Sequence, residues 1–165
     1  TGNLVKFAEG LIKIDVQNNT LFVFDNDAEG AEARAKLDRY RLPSNMRAML
    51  LPDLDHFRSF PCSGPNGEHL SDINGKAAAI ECYLDHRLHR YPPPRVIWTN
   101  FRHETGIYQG ALEHKDTYTK AFLKLRSGKL GSYDVSKLEK VLDAVVAQCT
   151  AIALARGDGA DQGSD

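Results

Sequence analysis

Residues 20 to 30 read TLFVFDNDAEG, and the rest of the chain is placed around this stretch. Thr20 to Phe24 form a short, continuous apolar run rich in β-preferring residues, which suits a strand buried on both faces of a parallel sheet. Asp25 then sits at the C-terminal end of that strand, the side on which open α/β sheets bind ligands. Asp25 and Asp27 are two positions apart, so in extended backbone their side chains emerge together while Asn26 points the other way. Two carboxylates held side by side resist joint ionisation, and a hard divalent cation relieves that repulsion while polarising phosphate oxygens. The pair therefore predicts Mg2+ or Mn2+ as cofactor. Aspartate is also a preferred N-cap residue, so capping of a helix starting near Ala28 is the plainer role for the same residues, and the two roles are compatible.

Working outward, Leu4, Phe7, Ala8, Leu11 and Ile12 recur at helical spacing and predict a helix over residues 4–12. Residues 28–41, AEGAEARAKLDRYR, carry acids early and bases late, as a helix dipole favours, and Pro43 closes the helix. Residues 46–51 predict a second strand, and Pro61, Gly64, Pro65 and Gly67 predict an irregular loop from Pro52 to Gly67. The alanine-rich stretch over residues 72–85 predicts a helix, residues 96–101 a third strand, and residues 117–125 and 135–154 amphipathic helices. This alternation implies an α/β fold with a mainly parallel sheet flanked by helices.

With 165 residues, 42% of them hydrophobic, the chain has material for one compact core. Lysine and arginine number 21 against 22 acidic residues, so any nucleic-acid contact must come from a local patch rather than a global basic field. The three cysteines Cys62, Cys82 and Cys149 fit neither a disulfide framework nor a structural zinc site, and point to a reducing cytoplasm. No apolar run approaches the roughly 20 residues of a membrane span, so no membrane partner is expected. The chain opens on Thr1 inside an ongoing element, which suggests a piece of a longer polypeptide.

The stretch FVFDNDAEGAEA resembles the metal motif of Toprim domains, a strand followed by Asp-x-Asp, a small or acidic residue and glycine, as in primases, type IA topoisomerases and OLD-type nucleases. SGPNGEHLSDINGKAAAIECYLD and WTNFRHETGIYQGALEHKDTYTKAFLK are similar to Toprim-containing proteins of prokaryotic anti-phage defence, OLD-like or HEPN/Toprim-associated. The resemblance implies a Toprim-like (Rossmann-like) domain over residues 1–125; the helical pattern beyond it predicts a C-terminal helical extension over 126–156, and the Gly-, Asp- and Ser-rich end a disordered tail over 157–165. The resemblance also implies metal-dependent cleavage of DNA or RNA, with Asp25 and Asp27 holding the ion.

The family also carries an upstream glutamate followed by glycine. Glu9-Gly10 is the candidate here, although its helical neighbours favour a solvated face for Glu9 and a glutamate strand upstream of Thr1. Later carboxylates of the family match Glu81 first and Asp72 second; their plainer roles are a helix-surface residue and an N-cap. Lys115 or Lys120 would supply the basic group that stabilises developing charge. His86 and His89 on a helix, and His103-Glu104 in a loop, match no metal-ligand spacing. Tyr91, Trp98, Phe101 and Tyr108, interleaved with Arg87, Arg90, Arg95 and Arg102, suggest a basic and aromatic nucleic-acid platform, with Trp98 itself assigned to the core. A HAD-type phosphatase would need threonine after Asp-x-Asp, where Ala28 and Glu29 stand. A non-catalytic Toprim-like module serving assembly or metal binding is the other alternative, and a homo-oligomer is a further expected partner.

Overall fold

The computed structural model describes residues 2–87, 93–103, 106–125 and 131–160. Helix α1 (Gly2–Lys13), strand β1 (Thr20–Phe24), the two-residue strand β2 (Asn26–Asp27), helix α2 (Ala28–Asp38) and strand β3 (Met46–Leu50) follow in order. Strands β1 and β3 pair in parallel, with Thr20 opposite Met46 and Phe24 opposite Leu50. Parallel pairing requires a crossover, and α2 provides it. Val5 and Ala8 of α1, Ala33 and Leu37 of α2, and Phe22, Phe24, Met46 and Ala48 of the strands share one apolar cluster. Val23, between the two buried phenylalanines, is exposed. The strand is thus covered at its middle on one face only, because α1 and the crossover helix α2 share the cluster on that side.

The second half comprises β4 (Phe60–Gly64), β5 (Gly67–Ser71), β6 (Ala77–Ala78), β7 (Val96–Arg102), β8 (Ile107–Leu112), α3 (Lys115–Leu123) and α4 (Ser136–Ala160). Its four-stranded sheet has the order β5-β4-β7-β8, with β4 and β7 parallel and the outer pairs antiparallel. A larger cluster, including Phe57, Phe60, Ile73, Cys82, Tyr83, Val96, Tyr118 and Val141, fills this half. A short antiparallel ladder, Asn26 opposite Ala78 and Asp27 opposite Ala77, joins the halves directly behind the Asp-x-Asp segment. The α/β class expected from the sequence is present; the single mainly parallel sheet is replaced by three small sheets, of which β1–β3 and β4–β7 contain the parallel pairs.

Two segments differ from expectation for local reasons. Residues 72–85 are not a helix: Gly75 has φ of +70°, and the Asn74 side chain is committed to the backbone of Leu54 in both directions, at 3.1 and 3.2 Å. An Asn-Gly turn therefore interrupts the alanine-rich run, which continues as β6 and a 3₁₀ turn at Ile80–Tyr83. The expected loop after Pro52 contains the β4–β5 hairpin, turned at Pro65-Asn66 with Gly67 at φ of +83°. Pro61 is tolerated because the β4–β7 ladder covers only Cys62 and Ser63. Helix α4 runs on to Ala160, past the Gly157 where a disordered tail was expected; residues 161–165 lie outside the described residues. Among the described residues no helix is long and apolar enough to cross a membrane.

Candidate active site at the end of β1

Asp25 leaves β1 at its C-terminal end, Asn26 turns inward and is buried, and Asp27 begins the crossover helix. Asp27 has extended backbone, φ −126° and ψ 177°, and its Oδ1 accepts the Gly30 N–H at 2.7 Å, so it is the N-cap of α2. The capping role considered from sequence is therefore real for Asp27. For Asp25 it is not: its Oδ1 accepts from the backbone N–H of Ile80 at 3.0 Å, across the molecule. Each carboxylate thus uses one oxygen to fix its orientation.

Gly30 lets these two residues approach. A Cβ there would lie 1.9 Å from the carbonyl oxygen of Asp25 and 3.3 Å from Asp27 Oδ1. Only glycine allows the first turn of α2 to rest on the backbone of Asp25, which gives a steric reason for the glycine in the Asp-x-Asp-Ala-Glu-Gly stretch.

Asn26 anchors the segment from behind. Its Nδ2 donates to Asp53 Oδ1 at 2.7 Å, and its Oδ1 accepts the Gly75 N–H at 3.0 Å. Asp53 follows β3, the parallel neighbour of β1, so both strand ends deliver an aspartate to this region. Asp53 went unread in the sequence, although its position after the apolar run MRAMLL was a usable signal. Gln109 of β8, which donates to Glu29 Oε1 at 3.0 Å, carried no such signal.

Glu81 arrives on the 3₁₀ turn rather than on a helix. That turn is tied to Asp25 through Ile80, to Lys137 of α4 through the Cys82 carbonyl at 2.8 Å, and to the His86 ring, which lies 2.8 Å from the Glu81 carbonyl. Lys115 is the first residue of α3 and is exposed. Desolvation pushes the Asp25 carboxyl up from its ordinary range; the Ile80 N–H opposes this, the charges of Asp27 and Glu81 reinforce it, and Lys115 opposes it. Asp25, Asp27, Glu81 and Lys115 are accordingly one electrostatic group.

Glu9 and Asp72 are not part of it. Glu9 accepts from Tyr40 Oη at 2.5 Å, near the far end of α2, a helix about 16 Å long at 1.5 Å per residue. Asp72 is spent on a local turn, accepting from the backbone and side-chain amides of Asn74, both at 3.0 Å. Among the described residues no group of three or more His, Cys, Asp or Glu side chains is arranged to hold a metal ion.

The other candidates divide. Burial pushes both Cys62 and Cys82 thiols up, Cys82 to about 12, which removes them as thiolate nucleophiles. His86 lies beyond the 3₁₀ turn rather than on a helix and packs against Tyr118 at 4.5 Å. Lys120 is an exposed residue of α3. Arg95 is paired with Glu113 and Glu68, and Arg87 with Asp85 and Asp134, so these two arginines of the expected platform are engaged internally. His89, Arg90, Tyr91 and Glu104, and the side chain of Arg102, lie outside the described residues. No protein-family model, no curated protein and no solved structure matches this chain significantly.

Proposed function

We propose that the chain is a Toprim-like, Mg2+- or Mn2+-dependent domain that cleaves nucleic-acid phosphodiester bonds, as part of a longer defence polypeptide. The observation that supports this reading is the Asp-x-Asp pair at the end of β1, each carboxylate oriented through one oxygen, with Glu81 on the turn whose Ile80 N–H holds Asp25. The donor set fits a hard cation: Mg2+ is commonly held by one or two carboxylates, with water and substrate phosphate completing its shell, so a preassembled three-ligand cage is not required. Asp25 and Asp27 would hold the ion, each through the oxygen not used to fix its orientation. When bound, the ion would polarise the scissile phosphate. Lys115 would face the phosphate charge, and the repulsion from Glu81 that Asp25 already experiences would fall on cation binding.

The test is a calorimetric titration of MnCl2 and MgCl2 into wild type, Asp25→Asn and Asp27→Asn, with cleavage of single- and double-stranded DNA and RNA measured in parallel. Asparagine keeps the acceptor that orients each side chain, including the N-cap of α2, and removes only the charge. Binding in the wild type and its loss in both variants is the expected result. Absence of binding in the wild type would favour a non-catalytic module.

A further inference from the structure

Strands β7 and β8 pair with an irregularity between Trp98 and Asn100. In a regular strand Trp98 and Phe101 would point to opposite faces. The irregularity adds one residue, so that Trp98 lies opposite Gly110 and Phe101 opposite Tyr108, which puts all three aromatics on one face. Phe101 and Tyr108 are both exposed, with ring centroids 4.9 Å apart. Glycines make room for the indole: a Cβ on Gly110 would lie 2.7 Å from the Trp98 ring, and one on Gly64 3.2 Å from it. Trp98 therefore packs one side on the core while also lining a cleft of about 260 Å³ with Tyr108, His69, Lys76, Asn66 and Ser71.

The chemistry of this cleft is specific. Among the described residues none of its lining side chains is acidic; Lys76 supplies a cation, and Asn66, Ser71 and His69 offer polar atoms. His69 Nδ1 lies 3.1 Å from the Gly67 carbonyl, which leaves Nε2 as the ring's second polar atom. Lys76 also links the cleft to the carboxylates. Its backbone forms a bridge with Asp27, and its carbonyl accepts the N–H of Ala28 at 3.4 Å.

We infer that this cleft seats an unpaired base of a single-stranded nucleic acid, stacked against Trp98 and Tyr108, with Lys76 holding the adjoining phosphate and the strand running on to Asp25 and Asp27. Aromatic platforms beside a cation bind single strands because every base presents a π-face, whereas bases in a duplex are already stacked. At about 260 Å³, just under the roughly 300 to 1000 Å³ of ligand pockets, the cleft has room for a single base. The inference rests on the nucleic-acid reading above and specifies its substrate.

Trp98 is the chain's single tryptophan, so its fluorescence reports the cleft alone. The experiment titrates an oligodeoxyadenylate of about eight nucleotides, and a duplex of the same length, into the 165-residue chain in EDTA. Saturable quenching by the single strand and not the duplex is expected. Tyr108→Ala should weaken binding by about 5- to 150-fold, the range of one lost base-stacking contact, while Tyr108→Phe should retain it. Lys76→Ala should lower the salt dependence by about one phosphate contact. Equal quenching by the duplex, no quenching, or quenching indifferent to Tyr108→Ala would overturn the inference. Quenching without metal-dependent cleavage would remove the nuclease reading and keep the cleft; cleavage that is unaltered in Tyr108→Ala, with silent fluorescence, would do the reverse.

Discussion

Replacing Gly30 with alanine tests the geometry that brings Asp25 and Asp27 together. In an ordinary helix interior the change would help, by about 0.5 to 1 kcal/mol, because alanine loses less backbone freedom on folding. Here the new methyl would lie 1.9 Å from the Asp25 carbonyl oxygen and 3.0 Å from its carbonyl carbon, and both are backbone atoms that cannot swing aside. The first turn of α2 must lift. Overpacking of this kind costs about 1 to 3 kcal/mol, and a contact this close belongs at the upper end. Lifting the turn also strains the 2.7 Å bond from Gly30 N–H to Asp27, and losing an N-cap costs about 1 kcal/mol. Set against the gain in propensity, the net is a loss of about 3 kcal/mol. For a chain of this size that corresponds to a fall in Tm of roughly 6 to 12 °C. Gly10→Ala is the matched control: it lies within α1 with no atom inside 4 Å of the added methyl, and it should stabilise by about 0.4 to 1 kcal/mol. Urea denaturation of both variants gives the two values. Equal effects, or a neutral Gly30→Ala, would refute the close approach and the positioning of the aspartates that depends on it.

The remaining predictions concern individual polar groups. Asp25→Asn should raise stability at neutral pH in metal-free buffer: the folded-state pKa is raised, so the ionised carboxylate disfavours folding above it, and the advantage of the variant should vanish as pH falls below the ordinary value of 3.8. Denaturation curves across pH, repeated with saturating Mn2+, check this, and a variant less stable than wild type at neutral pH without metal would contradict it. For Asp85 the sign is opposite. Burial works against its charge, but hydrogen bonds from the Arg87 side chain and from the backbone N–H groups of Asp134 and Arg87 outweigh it and hold the carboxyl well below its usual range. Its stabilisation is therefore complete above 3.8 and lost as pH falls through the lower folded value. Asp85→Asn should cost about 1.5 to 3 kcal/mol at neutral pH, the scale of one hydrogen bond to a charged group, with the difference from wild type shrinking in acid. Asn26→Ala should cost about 1 to 3 kcal/mol by leaving the Gly75 N–H and Asp53 without their shared partner. Thermal denaturation would settle it, a loss below 0.5 kcal/mol arguing against that bridge.

Much of the first half is legible from residue order because its determinants are local. The run Thr20 to Phe24 specifies a strand by composition, Asp27 a helix start by its capping chemistry, and residues 28–38 a helix by their propensity and charge gradient. Asp25 and Asp27 stand out as a pair for the same reason, since their two-residue spacing is a property of extended backbone. Where the local signals conflict, tertiary contacts decide. The alanines at 77–79 favour a helix, yet Asn74 gains more by bonding the backbone of Leu54, some twenty residues away, and Gly75 supplies the turn. The β4–β5 hairpin likewise depends on β7, a partner far along the chain, to turn a proline- and glycine-rich stretch into sheet. Sequence alone determined the strand, the crossover helix and the acidic pair, because backbone propensity and side-chain period act over a few residues. Only the tertiary structure set Glu81 on the turn tied to Asp25 and joined Asp53 to Asn26, took Glu9 and Asp72 away from the pair, and lined up Trp98, Phe101 and Tyr108 on one face, because burial, hydrogen-bond satisfaction and strand register are settled between residues distant in the chain.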